Sequence, residues 1–238
     1  MPRRVAVIFY GLTRTLSKTI DSLHENLFKV LLDNSFEYDI FIHHYKINGP
    51  YHNEWSKEHT QTYTNEDVES ILQPKYCICD TQDDIIDNIN FNAYYKKLGN
   101  WTGMNSTLTK YLIKNMCLAL YSKKQITEIF RSYANNYDYA IIIRPDLLLK
   151  NKIDIKWFDE LNNSNIIIPS CDSFSGCNDR MCIGKIEIIL YYGTLFDNLQ
   201  AYSEEKSIIS ERYLLDMLNK KEINILTKNI LYETIRII

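Results

Sequence analysis

The chain has 238 residues, 45% of them hydrophobic and 24% charged, with a formal net charge of −3. That length suits one large domain with a core of its own. The mildly acidic balance gives no basis for non-specific nucleic-acid binding, and no apolar run is long enough for a transmembrane helix.

Behind Arg3 and Arg4, the apolar run at 5–9 meets Gly11 and polar residues too early for a signal-peptide core, so a protein that is cytoplasmic, or placed beside a membrane by a partner, is expected. The same run is the expected opening strand of an α/β domain. Gly11 to Arg14 then form a turn, and Leu16, Ile20, Leu23, Leu27, Val30 and Leu31 recur at helical spacing. A glycine turn between strand and helix lets the backbone approach a ligand, and helix N-terminal N–H groups favour anions. A single glycine is far from a dinucleotide fingerprint. Residues 37–45 read as a second strand ending at His43 and His44. Strand neighbours point to opposite faces, so at most one of this pair serves a site.

Residues 46–64 show no period and read as a long loop. A short helix over 65–72, capped by Asn65 and stopped by Pro74, precedes a third strand at 75–80. The polar stretch 81–102 is only partly helical in pattern. The longest helical pattern runs from 105 to about 133, with a polar stretch at 122–125 where it could break. Lys110 and Lys114 fall one turn apart there, facing a shared site or solvent. The six cysteines include no CxxC pair and fit buried, reduced thiols better than a zinc site.

The run at 140–143 is short, apolar and β-branched, as in a strand buried on both faces. Arg144, Pro145 and Asp146 follow, then a second apolar run at 147–149. Pro145 has no N–H to pair, so the regular ladder stops there. An arginine and a carboxylate are expensive to bury without partners. In open α/β sheets such groups meet a ligand at the carboxyl end of a buried strand. A local Arg144–Asp146 ion pair is the simpler reading, and nothing within the motif removes it.

Downstream, residues 150–165 form a connection with a short turn around Trp157 and Phe158, and 166–169 are another apolar run. The stretch 170–184 places Asp172, Asn178, Asp179 and Arg180 between strand-like segments; Asp179 and Arg180 could equally form a turn with an internal ion pair. Helices are expected at 186–199 and 211–218, with a last short strand at 223–226.

Taken in order, 5–14, 38–43, 137–146 and 178–180 resemble nucleotide-sugar-dependent glycosyltransferases of the GT-A type. More narrowly, they look like small viral and bacterial glycan transferases with Arg-Pro-Asp in place of the usual DxD, over about residues 4–218. The chain is also rich in Ile, Asn, Lys and Tyr, residues of A/T-rich codons, as in some microbes and large DNA viruses. The resemblance implies a single Rossmann-like α/β domain over 1–238, with a central mixed, mostly parallel sheet flanked by helices. A nucleotide-sugar half would cover about 1–150 and an acceptor half about 151–238.

It further implies transfer of a sugar from a nucleotide-sugar donor to a glycan acceptor, free or protein-linked. Tyr10, Gly11, Arg14, Lys114, Arg144 and Asp146 would bind the donor. Asp146 would hold Mn²⁺ or Mg²⁺, the Lewis acid for the departing diphosphate, although the motif's first carboxylate is replaced by Arg144. Asp179, with Asp172 as the rival, would take the acceptor proton. Asn178, Arg180 and Glu211 would lie on the acceptor side. Two alternatives stay open: a degenerate module that binds a nucleotide or glycan without turnover, and a metal-dependent nucleotidyl or phosphoryl transferase. The latter lacks a P-loop pattern and a run of paired carboxylates.

Overall fold

The computed structural model describes residues 2–99 and 105–237. Strand β1 (Arg3–Gly11) leads through helix α1 (Leu16–Leu23), a π turn and α2 (Lys29–Asp33) to β2 (Phe36–Lys46). A hairpin of β3 (Tyr51–Asn53) and β4 (Glu58–Thr60) and the short α3 (Val68–Leu72) precede β5 (Tyr76–Thr81). Helices α4 (Gln82–Asn88) and α5 (Ser106–Arg131) lead to β6 (Tyr139–Ile143) and β7 (Leu147–Leu149). The second half runs α6 (Trp157–Glu160), β8 (Asn165–Pro169), β9 (Met181–Gly184), α7 (Ile186–Gly193), α8 (Phe196–Glu205), α9 (Ser210–Lys220), β10 (Asn224–Lys228) and β11 (Tyr232–Thr234).

Seven strands form one sheet in the order β10-β8-β9-β6-β1-β2-β5. Within it only β9 runs antiparallel to its neighbours; the others are parallel. This is a single α/β domain with a mixed, largely parallel sheet flanked by helices, a GT-A or Rossmann-like architecture. The two central strands are apolar because both faces are covered. Ala6, Ile8, Ala140 and Ile142 pack under α5 and α7. Val5, Val7, Phe9, Ile141 and Ile143 pack on the opposite side with Leu16, Leu23 and Leu27.

The chain order explains where a site can form. From β1 the chain moves outward through β2 to β5, then crosses back to β6 on the other side of β1. The connections therefore diverge between β1 and β6, which opens a crevice at their carboxyl ends. Gly11 to Arg14 leave β1 there, and Arg144 leaves β6. Gly11 takes φ +97°, a left-handed conformation that favours glycine.

Several local expectations change. The expected loop at 46–64 contains the β3–β4 hairpin. Asp67, not Asn65, caps α3 by accepting from the Ser70 N–H at 3.1 Å, while Asn65 bonds both backbone groups of Ile47. Helix α5 is unbroken at 122–125, because Ser122 and Lys123 turn inward instead of interrupting it. The helix expected at 186–199 is two, α7 and α8. Strand β9 lies inside the expected polar stretch 170–184, and β11 follows the strand expected to be last. All six cysteines are free; Cys117, Cys177 and Cys182 are buried, while on the edge strand β5 Cys77 is half-buried and Cys79 exposed. The part of 81–102 from residue 100 onward lies outside the described residues. Among those described, no helix is long and apolar enough to cross a membrane.

Candidate active site

A cleft of about 770 Å³ occupies the crevice at the carboxyl ends of β1, β2 and β6. Tyr10, Gly11 and Arg14 from the β1 turn, Lys114 from α5, and Arg144 line it, as do Asp179, Arg180 and Glu211. These come from segments more than two hundred residues apart in the chain, and the sheet topology gathers them. The hairpin contributes Tyr51 and the exposed Trp55 to the walls, and the loop before β9 contributes the exposed Phe174.

Asp146 lies just beneath this cleft, 1% exposed. Arg144 grips it with two donors, Nε to Oδ1 at 2.9 Å and a second to Oδ2. Arg236, near the C-terminus, donates to Oδ2 at 3.1 Å, and Arg14 to the same oxygen at 3.3 Å. Arg14 is itself enclosed: its Nη1 donates to the Tyr51 hydroxyl at 3.1 Å, and its Nε pairs with buried Glu58 at 2.9 Å. Burial alone would push the Asp146 carboxyl up. The guanidinium groups of Arg144, Arg14 and Arg236 reverse that and hold it below the ordinary carboxylate range. The site thus sets three cations around Asp146, with Glu58 a second carboxylate beside Arg14; Arg144 and Arg236 keep about a quarter of their side chains exposed.

The segment 235–237 is strapped into this cluster. The Ile235 N–H donates to the Asp146 carbonyl at 2.9 Å, and the Ile237 N–H to Glu58 at 2.9 Å. Burial, with Arg144 and Arg14 opposing its charge, lowers the Arg236 pKa to about 10 although Asp146 supports it.

Beside the arginines, where the Arg144 N–H donates to the Arg180 carbonyl at 3.1 Å, the cleft carries carboxylates. Asp179 accepts a hydrogen bond from the Ser210 hydroxyl at the start of α9. Glu211, next in that helix, is pushed up to about 7, first by burial and then by the nearby charge of Asp179. Gly176 explains how the loop comes this close: a Cβ there would collide with the Glu211 backbone. The Cys177 N–H donates to the Glu211 carbonyl at 2.9 Å, fixing the loop to the helix.

Buried polar groups hold the β1 turn. The Gly11 N–H donates to Ser122 Oγ at 2.8 Å. Ser122 Oγ lies 2.7 Å from His43 Nδ1 and 3.1 Å from the His43 carbonyl, and His43 Nε2 lies 3.0 Å from Asp80. The serine hydroxyl therefore has an acceptor on His43 whichever ring nitrogen carries the proton. His43 and His44 do not line the cleft; His43 is structural support for it.

Asn178, Asp172 and Lys110 lie beside the cleft rather than in it. Asn178 is fully buried; its amide donates to the Cys171 carbonyl and the Tyr232 hydroxyl, and its Oδ1 accepts from the Arg180 N–H. It shapes the loop. Asp172 is exposed and pairs with Arg180, whose Nη1 also donates to Tyr232. That pairing is the local Asp–Arg contact which the sequence allowed, between Arg180 and Asp172 instead of Asp179. Lys110 is exposed over the Tyr95 ring, while Lys114 lines the cleft over Phe91.

The donor set at Asp146 does not fit a divalent cation. Both of its carboxylate oxygens accept from guanidinium groups, and a metal there would be met by three positive charges. Among the described residues, no group of three or more His, Cys, Asp or Glu is placed to share a metal. The expected metal ligand is instead the anchor of an arginine cluster. Sequence reasoning missed Arg236, Glu58, Ser122 and Lys123. Only the polar pair Ser122-Lys123 within an amphipathic helix left a signal.

The fold and site together define an α/β domain with a polar cleft at the switch point of its sheet. No protein-family model matches the chain, and a search of curated proteins finds no significant match. Among solved structures, it is similar to the apo-form glycosyltransferase GlyE of Streptococcus pneumoniae TIGR4, with a TM-score of 0.45 and 13% identity. The match covers 95% of this chain and 45% of that one, so the chain spans less than half the length of that protein. The likeness is a remote one of fold, and no residue role is transferred across it.

Proposed function

We propose that the cleft transfers a sugar from a nucleotide-sugar donor to a hydroxyl of a glycan acceptor. The observation that carries this reading is the meeting of two sets of charged groups in one cleft: guanidinium groups around buried Asp146, and Asp179 and Glu211 beside them. Glycosyl transfer needs both. Breaking the anomeric C–O bond sends its electron pair onto the diphosphate, where cations stabilise the growing charge. The acceptor oxygen forms the new bond to the anomeric carbon and gives up its proton to a base.

Arg144 and Arg236 present planar, fixed donors suited to phosphate oxygens. Lys114, from α5, adds a cation to the lining of the cleft. Arg14 is spent on Asp146, Glu58 and Tyr51, so it orients the others instead of binding donor itself. Glu211, with a pKa of about 7, is the stronger candidate for the base, and Asp179 raises it. Asp172, paired to Arg180, is set aside. In this reading guanidinium groups supply the charge that a metal supplies in DxD enzymes. Trp55 and Phe174 flank the cleft mouth where an acceptor would enter.

The test is a donor screen. UDP-, GDP- and CMP-sugars, with EDTA or with Mn²⁺, are scored for thermal stabilisation and for nucleotide release. At least one donor is expected to stabilise the protein and to be slowly hydrolysed in EDTA. Stabilisation without release or transfer under any condition would favour the binding module. No stabilisation by any nucleotide would sink the transferase reading.

A further inference from the structure

Lys123 is the one buried lysine among the described residues, 3% exposed on the sheet-facing side of α5. Its ammonium lies between two rings, 4.6 Å from the centroid of Tyr10 and 4.2 Å from that of Tyr192. Among the described residues it forms no ion pair. The two tyrosines that clamp it share a further partner: both hydroxyls donate to the Asp179 carbonyl, at 2.8 and 3.3 Å. Elsewhere around it stand Cys182 on β9, Arg144 after β6 and the side chain of Asp179. Its own carbonyl accepts from Thr127 one turn on.

An ammonium withdrawn from water without a carboxylate partner is costly, and an apolar side chain of the same length would be cheaper. Ring faces recover part of the cost, since a cation over an aromatic face is attracted to it. What the position gains is a rigid link from the floor of the cleft to one of its carboxylates. We propose that Lys123 is a positioning residue for the acceptor wall: through Tyr10 and Tyr192 it fixes the Asp179–Arg180 segment, and its charge steadies Asp179 beside Glu211. The role rests on the reading of these carboxylates as the acceptor side of a transferase.

Burial drives the Lys123 pKa down to about 8, with Asp179 and Cys182 opposing the shift and Arg144 adding to it. The link therefore loses its charge in mildly alkaline solution. Of the other groups facing it, the phenols of Tyr10 and Tyr192 are raised well above their ordinary value, first by burial, and the Cys182 thiol is raised to about 12. Glu211 titrates near 7. Glu211 and Lys123 titrate in neighbouring ranges, and Lys123→Met, which removes Lys123 alone, separates the two steps.

The experiment follows the backbone amides of Asp179 and Arg180 in ¹⁵N–¹H spectra from pH 6 to 9.5. Wild type is expected to show a step near pH 8 that is absent in Lys123→Met, a variant that should fold at least as well. With a donor and acceptor in hand, kcat is expected to fall on the alkaline side of this step in wild type. In Lys123→Met it is expected to be roughly tenfold lower without that limb, with donor affinity within about twofold. No step in wild type, or a step and a kcat limb that persist unchanged in Lys123→Met, would overturn the proposal. If no nucleotide sugar binds, the transfer reading fails separately, and the spectra still decide whether Lys123 controls Asp179.

Discussion

Asp146 and Glu211 are carboxylates of one site, and their surroundings drive them in opposite directions. Asp146 is deeper, yet three guanidinium groups hold it ionised. Glu211 is less buried, yet burial and the charge of Asp179 leave it half-protonated near neutral pH. The contrast teaches that depth alone does not set the role of a buried acid; the sign of its neighbours does. One carboxylate is fixed in an electrostatic frame. The other, nearby, has a pKa raised to about 7.

The largest effect should come from breaking the frame. Asp146→Asn leaves Arg144 and Arg236 without their anion, while Arg14 keeps Glu58, and we expect it to lower stability by about 3–5 kcal/mol in urea unfolding. The sign with pH follows from the depressed folded pKa. The stability that Asp146 contributes is present above its ordinary pKa of 3.8 and is lost as pH falls through its lower folded value. The gap between wild type and variant should therefore close in acid. A variant as stable as wild type at pH 7 would show that the arginines do not depend on Asp146.

Glu211→Gln should act in the opposite sense. The folded chain keeps the Glu211 proton up to about pH 7, whereas the unfolded chain releases it near the ordinary 4.5. Wild-type stability is therefore lost as pH rises from 4.5 to 7, and the Gln variant should be more stable at pH 8 by roughly 2 kcal/mol. Its activity should collapse, along with the rise in wild-type kcat/KM through pH 7. An active variant with the same pH profile would remove Glu211 from the proton transfer.

A smaller effect is expected at the support of the β1 turn. Ser122→Ala leaves the Gly11 N–H and the His43 ring short of a partner inside the protein, which costs about 1–2 kcal/mol. Thermal unfolding measures it. A loss below a few tenths of a kcal/mol would mean that water replaces the hydroxyl.

The frame was more legible in the sequence than the support around it. The runs at 5–9 and 140–143 are apolar because both sheet faces are covered, and each ends at the polar residues that line the cleft. Local pattern carries that much. Arg144 and Asp146 do form the ion pair that the motif alone suggested, and the cluster is built on it. Arg236 and Glu58 could not be foreseen, because the C-terminal segment and the hairpin reach Asp146 only through tertiary packing. The polar pair Ser122-Lys123 stands out in the sequence as a place where the helix could break. It is instead where the helix turns polar groups onto the carboxyl end of β1. Asn178 and Asp172 carried chemistry by residue type alone, and their hydrogen bonds assign them to the loop.

The central claim is that fixed arginines, without a metal at Asp146, bind the diphosphate of a nucleotide sugar. Calorimetric titration of nucleoside diphosphates into wild type and Arg236→Ala, in EDTA and then in Mn²⁺, tests it most directly. Arg236→Ala leaves Asp146 paired with Arg144 and Arg14. We expect binding in EDTA that Mn²⁺ leaves nearly unchanged and that Arg236→Ala weakens roughly tenfold or more. Binding that requires Mn²⁺, or that is indifferent to Arg236, would contradict the account.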